Sequence, residues 1–402
     1  MVPKGWSESY LGEVVTYKKG YAFNSSLYAE EGIRIVRISD TTRDSIHSDN
    51  PVFIAGGNVE GLEQYSLFEN DIILSTVGSR PHLLDSMVGK AVKVPRSAHN
   101  SLLNQNLVKL IPKKTKITNE YLFSMLKTKE FIQFISNLVR GNANQVSITL
   151  ADLFKYKFIL PSLPEQKKIA QILSTWDKAI SVTEKLLTNS QQQKKALMQQ
   201  LLTGKKRLLD ENGVRFSGEW KQDVNLGSII NISKGVQINK NTLSEDGQFP
   251  VINGGIAPSG FTSEFNTDEN TITISEGGNS CGYVAFQKKS FWCGGHCYAV
   301  RKTALDLSFT FHLLKYNELK IMGLRVGSGL PNIQKKAIEA FTVNFPVTSV
   351  EQQKIAAVLS AADDEIATLE KKLACLRDEK KALMQQLLTG KRRVKVDEAV
   401  AE

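Results

Sequence analysis

The chain has 402 residues, of which 41% are hydrophobic and 23% charged, and its formal net charge is +10. This length favours about two to three domains, and the composition is typical of a folded soluble protein rather than a disordered one. No apolar run reaches the roughly 18 residues of a membrane span, the N-terminus lacks an apolar signal region, and four cysteines make no disulfide framework, so we expect a cytoplasmic protein without membrane association.

Residues 1–160 are predicted to form one α+β domain. Three β-branched runs bounded by Gly, Asp or Pro favour strands: GIRIVRISD, NDIILSTVG and GKAVKVP. A helix-like stretch follows from Asn119, NEYLFSMLKTKEFIQFISNLV, and we expect one helix there. Beyond it lies a polar, glycine-containing loop from Arg140, RGNANQVSI.

Residues 161–207 are predicted to form a long amphipathic helix. Its seam positions recur at alternating steps of four and three, the heptad pattern of a coiled coil: Ile169, Leu173, Trp176, Ile180, Thr183, Leu187, Ser190, Lys194, Leu197 and Leu201. Pro164 is expected to precede the helix and Gly204 to end it. Residues 151–207 carry 11 basic and 4 acidic side chains. Such a surface favours nucleic acid, and a solvated helix face is the alternative.

Residues 208–346 are predicted to form a second α+β domain, similar in fold to the first. Strand-like runs are FPVINGG, NTITISEGG, CGYVAFQ and CYAVRK. One helix-like stretch, LSFTFHLLKYNELKIM, starts at Leu307, and a polar loop, RVGSGLPNIQ, starts at Arg325. The segment YLGEVVTYKKG, ending at Gly20, is similar to NLGSIINISKG, ending at Gly235, which supports a duplication.

Residues 347–393 repeat the helix of residues 161–207, and residues 394–402 form a tail. The stretch KALMQQLLTGK occurs at 195–205 and again at 381–391. The second seam contains Ile355, Leu359, Ala362, Ile366, Leu369, Leu373, Leu376, Leu383 and Leu387, with Lys380 in the one remaining slot, and Gly390 as the stop. An apolar seam needs a partner, so we expect the two helices to pair as an antiparallel coiled coil with pseudo-two-fold symmetry. The alternative is that each seam packs on its own domain.

The sequence contains no sign of catalysis. It lacks a G-x-x-x-x-G-K-[ST] phosphate loop, a dinucleotide-type glycine turn, an H-E-x-x-H helix and a serine elbow, so we predict no catalytic residues. The segment CGGHC, from Cys293 to Cys297, and Cys281 offer three thiols and an imidazole that could bind zinc. Because the segment reads as a hairpin in which alternating cysteines face opposite sides, we favour thiols buried in strands and predict no metal site.

The two polar loops are the principal candidates for DNA contacts. Arg, Asn and Gln side chains make bidentate contacts to guanine and adenine edges, and glycine lets the backbone approach phosphate. An ordinary turn is the alternative for each loop, but the loop occurs in equivalent places in both domains. Glycine turns after two lysines, an arginine in VGSRPH and two asparagines are further candidates. The predicted DNA-binding residues are Lys19, Arg80, Arg140, Asn142, Asn144, Gln145, Lys234, Asn253, Asn279, Arg325, Ser328 and Asn332.

Two divergent domains, each followed by E-Q-x-x-I-A-x-x-L-S and then K-x-x-L-M-Q-x-L-L-T-G-K, resemble the DNA specificity subunit of Type I restriction–modification systems. The helical motifs carry this resemblance, whereas the domains agree with the family in layout. The resemblance implies two target-recognition domains, each reading one half of a split DNA sequence, and an antiparallel helical spacer that fixes the gap between the half-sites. Since the two domains differ, the target is expected to be asymmetric.

The resemblance also implies partners and cofactors. Besides double-stranded DNA, we expect two modification subunits, which bind S-adenosylmethionine and methylate adenine, and two restriction subunits, which use ATP and Mg²⁺. This chain would then need no cofactor of its own. Two alternatives remain open: the recognition subunit of a fused restriction–modification enzyme, and a coiled-coil scaffold whose end domains bind protein instead of DNA.

Overall fold

The computed structural model describes residues 2–42, 45–79, 88–139, 146–327, 329 and 331–396. The chain divides into two units, Met1–Val182 with Leu373–Glu402, and Thr183–Lys372. Each unit therefore contains one α+β domain and a part of both repeated helices. Among the described residues, no helix has the length and apolar character that crossing a bilayer requires.

The first unit begins with a mixed α+β domain. Its shorter helices are α1 (Leu11–Val14), α2 (Asn119–Met125), α3 (Lys129–Leu138) and α4 (Leu150–Leu153). Its strands are β1 (Ser7–Tyr10), β2 (Val15–Lys19), β3 (Tyr28–Ala29), β4 (Ile33–Val36), β5 (Val52–Ile54), β6 (Ser66–Leu67), β7 (Ile72–Ser75), β8 (Val77–Gly78), β9 (Ala91–Lys93), β10 (Ser101–Leu103), β11 (Leu107–Pro112), β12 (Val146–Ser147) and β13 (Lys157–Leu160).

Two sheets organise this domain. One is antiparallel with strand order β2-β11-β7-β9, and the other has the order β3-β5-β4-β10-β6 with β4 and β10 parallel. Strand β7 is buried on both faces, because Ile72 and Leu74 belong to the core shared with α2 and α3, whereas Ile73 belongs to the core of the other face. The shorter pairs are β1-β13 and β8-β12.

The second unit repeats this architecture. After the long helix α5 (Leu163–Leu201), its strands are β14 (Trp220–Asn225), β15 (Ile230–Lys234), β16 (Phe249–Ile252), β17 (Phe261–Thr262), β18 (Thr271–Ser275), β19 (Val284–Gln287), β20 (Trp292–Cys293), β21 (Cys297–Thr303) and β22 (Thr342–Pro346). Its shorter helices are α6 (Leu307–Tyr316), α7 (Glu318–Met322) and α8 (Lys335–Ala340), and the long helix α9 (Ser349–Leu388) follows them.

The strand orders of the two domains correspond. The antiparallel sheet β15-β21-β18-β19 matches β2-β11-β7-β9, the parallel pair β16-β20 matches β4-β10, and β14-β22 matches β1-β13. The prediction of two similar α+β domains is confirmed. The single helix expected in each domain is instead a pair of helices. The Thr128 side chain caps α3 by accepting a hydrogen bond from Phe131 N, and Asn317 separates α6 from α7.

The predicted seams of α5 and α9 are buried or half-buried at every position. In the first unit, Asp177 of α5 pairs with Lys380 of α9, and Glu165 at the start of α5 pairs with Arg393 beyond the end of α9 at 2.6 Å. Partner numbers fall as α5 numbers rise, so the helices run antiparallel, as predicted. Lys380, the polar residue in the apolar seam, is therefore an ion-pair position.

The second unit contains the reciprocal contacts. Lys194 of α5 pairs with Asp363 of α9, and Arg207, beyond the end of α5, pairs with Glu351 at 2.5 Å. Each of these four residues lies 186 positions from the residue of the same type in the first unit, as Lys194 does from Lys380. Both packing alternatives for the seams occur together. The helices pair with each other, and their ends enter the domain cores, through Ile169, Leu173 and Leu387 in one unit and Leu201, Ile355 and Leu359 in the other.

A buried Glu-Gln pair anchors the start of each long helix. The side chains of Glu165 and Glu351 are 8% and 1% exposed. Gln166 accepts a hydrogen bond from Thr118 N at 2.9 Å, and Gln352 accepts one from Asp306 N at 2.8 Å. Each amide thus satisfies the backbone of the adjoining domain. The sequence motif E-Q therefore has a packing role.

The helix ends differ slightly from expectation. Pro164 lies in the first turn of α5 rather than before it, a position where proline costs no hydrogen bond. Gly204 and Gly390 have φ of +71° and +70° just beyond α5 and α9, so both predicted helix stops are confirmed. A side chain at either position would also contact the domain, since a Cβ at Gly390 would lie 3.2 Å from the Trp6 ring.

Candidate nucleic-acid interface

In the second unit, β15 ends where two other strand ends meet. Just after Lys234, Gly235 N donates to Cys297 O at 2.8 Å and Val236 N donates to Cys293 O at 2.9 Å. A Cβ on Gly235 would lie 2.3 Å from Cys293 O. The glycine after Lys234 is therefore required by this close backbone crossing.

The first unit has the same crossing after β2. Gly20 N donates to Leu107 O at 3.1 Å and Tyr21 N donates to Leu103 O at 2.9 Å. A Cβ on Gly20 would lie 1.9 Å from Asn104 O. The glycine turns proposed for phosphate contacts thus have a structural explanation in both domains, and the lysines before them remain candidates.

A second crossing brings three loops of the second unit together. At the end of β18, Glu276 N donates to His296 O at 2.9 Å, and Glu276 O accepts from Ile333 N at 2.8 Å. Next to it, Gly278 N donates to Pro331 O at 3.0 Å. The strand end, the turn before β21 and the end of the polar loop that starts at Arg325 therefore lie side by side.

The first unit has the equivalent backbone hydrogen bonds at the end of β7, and we call this shared pattern of hydrogen bonds the frame. Thr76 N donates to Asn106 O at 3.1 Å, and Ile148 N donates to Thr76 O at 3.1 Å. The frame thus places Thr76 where the second unit has Glu276, and Asn106 where it has His296. The backbones correspond, whereas the side chains that they present differ in charge and hydrogen-bonding capacity.

Three side chains of the second unit form what we call the Glu276 cluster: Lys234, Glu276 and His296. Lys234 Nζ lies 2.5 Å from one carboxylate oxygen of Glu276, and His296 Nδ1 lies 3.3 Å from the other. The carboxylate is 14% exposed, whereas the lysine and histidine side chains are 51% and 61% exposed. The cluster is an oriented acceptor flanked by two nitrogen groups at the surface.

The structure brings most of the predicted residues of the second unit to this region. Asn253 accepts a hydrogen bond from His296 N at 3.0 Å, so it positions the turn of the cluster. Asn332 pairs through its backbone with Gly277 and Val326, and its side chain, like that of Arg325, is exposed. Asn279 is exposed in the loop after Gly278.

Lys19 is the one predicted DNA-binding residue of the first unit whose structure is described. It is exposed at the end of β2, opposite Val108. Six predicted residues lie outside the described residues, five of them in the first unit: Arg80, Arg140, Asn142, Asn144, Gln145 and Ser328. The assignment of all twelve residues to DNA binding stays a prediction.

Sequence reasoning did not select Glu276 or His296 for DNA contacts. Both lie in segments that it selected for other reasons, NTITISEGG as a strand-like run and CGGHC as a candidate zinc site. The signal that would have found them is the pairing of the two segments across adjacent strands. That pairing depends on the register of β18 with β21, which joins Ser275 to Cys297.

The cysteines of CGGHC belong to the apolar core. Cys293 and Cys297 lie in one cluster with Phe291, so the expectation that they face opposite sides is wrong. The turn between them returns the chain to the same face. Their first-unit equivalents, Leu103 and Leu107, share a core in the same way. The neighbouring thiol and burial raise the pKa of the Cys297 thiol, which keeps it protonated.

Metal-binding chemistry is not evident in the part of the chain that the structure describes. No group of three or more His, Cys, Asp or Glu side chains there is arranged to hold a metal ion. His296 contacts Glu276 at the surface, whereas Cys281 is buried and donates to Glu276 O at 3.0 Å. Hydrogen bonding and charge are therefore the chemistry that this region offers.

Two known proteins are similar to this chain in sequence. The chain is 36% identical over 160 residues to a Mycoplasma pneumoniae protein named as a type I specificity subunit, a match that covers 38% of this chain and 42% of that protein. It is 28% identical over 414 residues to a Methanocaldococcus jannaschii protein named as the specificity subunit of type I restriction enzyme MjaX, covering 98% of this chain and 95% of that one.

A solved structure shares the fold. The crystal structure of the S subunit of a Type I restriction–modification system from M. genitalium superposes with a TM-score of 0.67 at 19% identity, covering 95% of this chain and 96% of that chain. The family model described as the Type I restriction modification DNA specificity domain matches residues 3–189 and again residues 218–376. The two matches together include most of both domains and much of both long helices, so the chain belongs to the Type I restriction–modification DNA specificity family.

Proposed function

We propose that this chain is the sequence-specific DNA-binding subunit of a Type I restriction–modification complex, in which each domain reads one half of a bipartite target. The observation that carries the proposal is the duplicated frame, which places Thr76 in one domain where Glu276 lies in the other. Two readers with a common backbone and different side chains recognise different half-sites, so the target is asymmetric.

The paired helices α5 and α9 serve as the spacer between the half-sites and as the docking surface for two modification subunits. The reciprocal ion pairs of Asp177 with Lys380 and of Lys194 with Asp363 support a fixed helix register. A fixed register gives a fixed gap between the half-sites. The positive charge of residues 151–207 favours DNA phosphates or an acidic partner surface.

This chain contributes specificity and its partners contribute catalysis. Two modification subunits bind S-adenosylmethionine and methylate adenine, and two restriction subunits use ATP and Mg²⁺ to translocate and cut. The complex works in the cytoplasm on double-stranded DNA. Both of the relatives described above are named as specificity subunits, which supports this division of labour.

Methylation mapping tests the proposal. The chain is expressed with its neighbouring modification gene, and the DNA of the host is examined by long-read sequencing. We expect a split motif, methylated on adenine, with two different halves and a constant gap. Absence of any modified motif, once expression and complex formation are verified, would contradict the proposal.

Two alternatives give different results. A coiled-coil scaffold whose domains bind protein predicts that no duplex is retained at low salt, whatever its sequence. The recognition subunit of a fused restriction–modification enzyme predicts the split motif, but a single neighbouring gene that combines methylation and cleavage. Binding of duplex DNA that weakens with salt would exclude the scaffold.

A further inference from the structure

The two domains differ in charge at one point of their common frame. In the second unit, the backbone N–H of Glu276 donates to His296 O, and its carboxylate contacts Lys234 and His296. In the first unit, the Thr76 backbone makes the equivalent hydrogen bond to Asn106 O, and the Thr76 hydroxyl donates to that same oxygen at 3.2 Å. One domain presents an anion at this point and the other a hydroxyl that is already bonded.

The carboxylate of Glu276 is held in one orientation. Each oxygen has its own partner, Lys234 Nζ at 2.5 Å and His296 Nδ1 at 3.3 Å, and each oxygen keeps a further lone pair. Asn253 fixes the turn that carries His296 by accepting its backbone N–H. Such an acceptor is pre-oriented, so little side-chain entropy remains to be lost on binding.

An anion on a DNA-binding surface has a restricted set of uses. It repels phosphate, so it weakens non-specific binding unless a cation offsets it, as Lys234 does here. Towards bases it accepts hydrogen bonds only. It therefore favours a base that presents an amino group in the major groove, cytosine N4 or adenine N6, and disfavours guanine and thymine acceptors at that place.

We propose that Glu276 determines base preference in the second half-site by accepting a hydrogen bond from an exocyclic amino group, with Lys234 and His296 as its positioning residues. Thr76 occupies the same place in the first domain and gives that domain a different preference. This inference rests on the proposed function and assigns a residue to one part of it.

The test compares Glu276→Gln and Glu276→Thr with the parent chain, each assembled with the modification subunits. Glutamine keeps the shape but adds two donors and removes the charge, and threonine is the residue of the first domain. Glu269→Gln is the matched control, because Glu269 is exposed just before β18, at the other end of the strand from Glu276. Melting temperatures show that each variant is folded.

Competition binding with duplexes that differ by one base pair, together with methylation mapping, gives the readout. We expect Glu276→Gln to lower discrimination roughly 10-fold at one position of the second half-site and to leave the first half-site unchanged. Glu269→Gln should leave both unchanged. The reciprocal Thr76→Glu variant should change preference in the first half-site only, which keeps the proposal testable even if a Glu276 variant does not fold.

Two results would overturn the inference alone. If Glu276→Gln strengthens or weakens binding to all sequences equally, the carboxylate is only a counter-ion for Lys234. If base preference is unchanged, or changes in both half-sites, Glu276 does not read the second half-site. Absence of a split motif with the parent chain would instead overturn the proposed function and this inference with it.

Discussion

Arg207 neutralises a buried carboxylate in the second unit. The Glu351 side chain is 1% exposed, and the guanidinium of Arg207 donates to both its oxygens, at 2.5 and 2.7 Å. Arg207→Ala leaves that charge unpaired, so we expect a loss of about 3 kcal/mol in the free energy of unfolding. Denaturant unfolding of parent and variant measures the difference.

Arg393→Ala is the internal comparison for this prediction. Its partner Glu165 is 8% exposed and keeps hydrogen bonds from Trp6 and Ser162, so the loss should be smaller. Burial raises the pKa of Glu165, but the hydrogen bonds from Arg393 and Trp6 outweigh it and lower the pKa overall. Arg392→Ala, at an exposed neighbouring position, is the control. Equal losses for all three variants would contradict the role of the buried pairs.

His312 makes the second unit sensitive to acid. It is 1% exposed, its Nε2 lies 2.9 Å from Ser360 Oγ, and burial lowers its pKa to about 4, with Lys194 adding to the effect and Asp363 opposing it. A histidine in the unfolded chain has a pKa near 6.5. Between about pH 6.5 and 4, His312 is therefore protonated in the unfolded state and neutral in the folded state. Stability is therefore lost as pH falls through this range, by up to roughly 3 kcal/mol.

His312→Gln isolates this contribution. Because glutamine does not titrate, the variant should lose less stability than the parent between pH 6.5 and 4, whatever its stability at pH 7. The difference between the two unfolding curves is the quantity to measure. His99→Gln, at an exposed position, is measured alongside as the control for replacing a histidine. Parallel curves for the parent and His312→Gln would show that His312 titrates normally.

At the scale of elements, the helix pair depends on its apolar seam. Leu373 is 7% exposed, whereas the next residue, Ala374, is on the exposed side of α9. Leu373→Asp places an unpaired charge in the seam, which costs several kcal/mol, roughly 3 or more. We expect impaired assembly with modification subunits while the α+β domains stay folded.

Ala374→Asp is the matched control, because it adds the same charge one residue away on the solvent side. Assembly measured by size-exclusion chromatography and domain folding measured by circular dichroism separate the two effects. If Leu373→Asp assembles as well as Ala374→Asp, the seam does not hold the helices in register.

The helices were predictable because a heptad pattern repeats locally, and the sequence position of each seam residue determines its burial. The strand crossings were not, because Gly20 and Gly235 are constrained by backbone from distant strands. The same holds for Glu276 and His296, which meet only through strand register. The Glu165–Arg393 pair could have been predicted from the sequence, since both residue types recur at an offset of 186 as Glu351 and Arg207.

At the scale of the whole chain, both repeats carry the residue types that form the ion pairs between the long helices. In the first unit, α9 supplies Lys380 to Asp177 and the segment beyond it supplies Arg393 to Glu165. The first repeat has the same residue types 186 positions earlier, as Lys194 and Arg207, which flank the identical stretch KALMQQLLTGK. A second copy of residues 1–207 therefore offers the first copy all the groups that α9 provides in these contacts.

We therefore expect a chain of residues 1–207 to form a homodimer in which the long helix of each copy pairs with that of the other. Since both readers are then the first domain, the dimer with modification subunits should methylate a palindromic split motif built from the first half-site alone. Sedimentation equilibrium gives the stoichiometry, and methylation mapping gives the motif. The same half-chain with Leu201→Asp is the control, because Leu201 occupies the position of the buried Leu387 and an aspartate there should leave a monomer. A folded monomer from the unaltered half-chain would show that the two repeats are not interchangeable. Sequence differences outside the shared stretch, such as Ser190 in the first seam where the second has Leu376, would then decide that α5 pairs with α9 and not with another copy of itself.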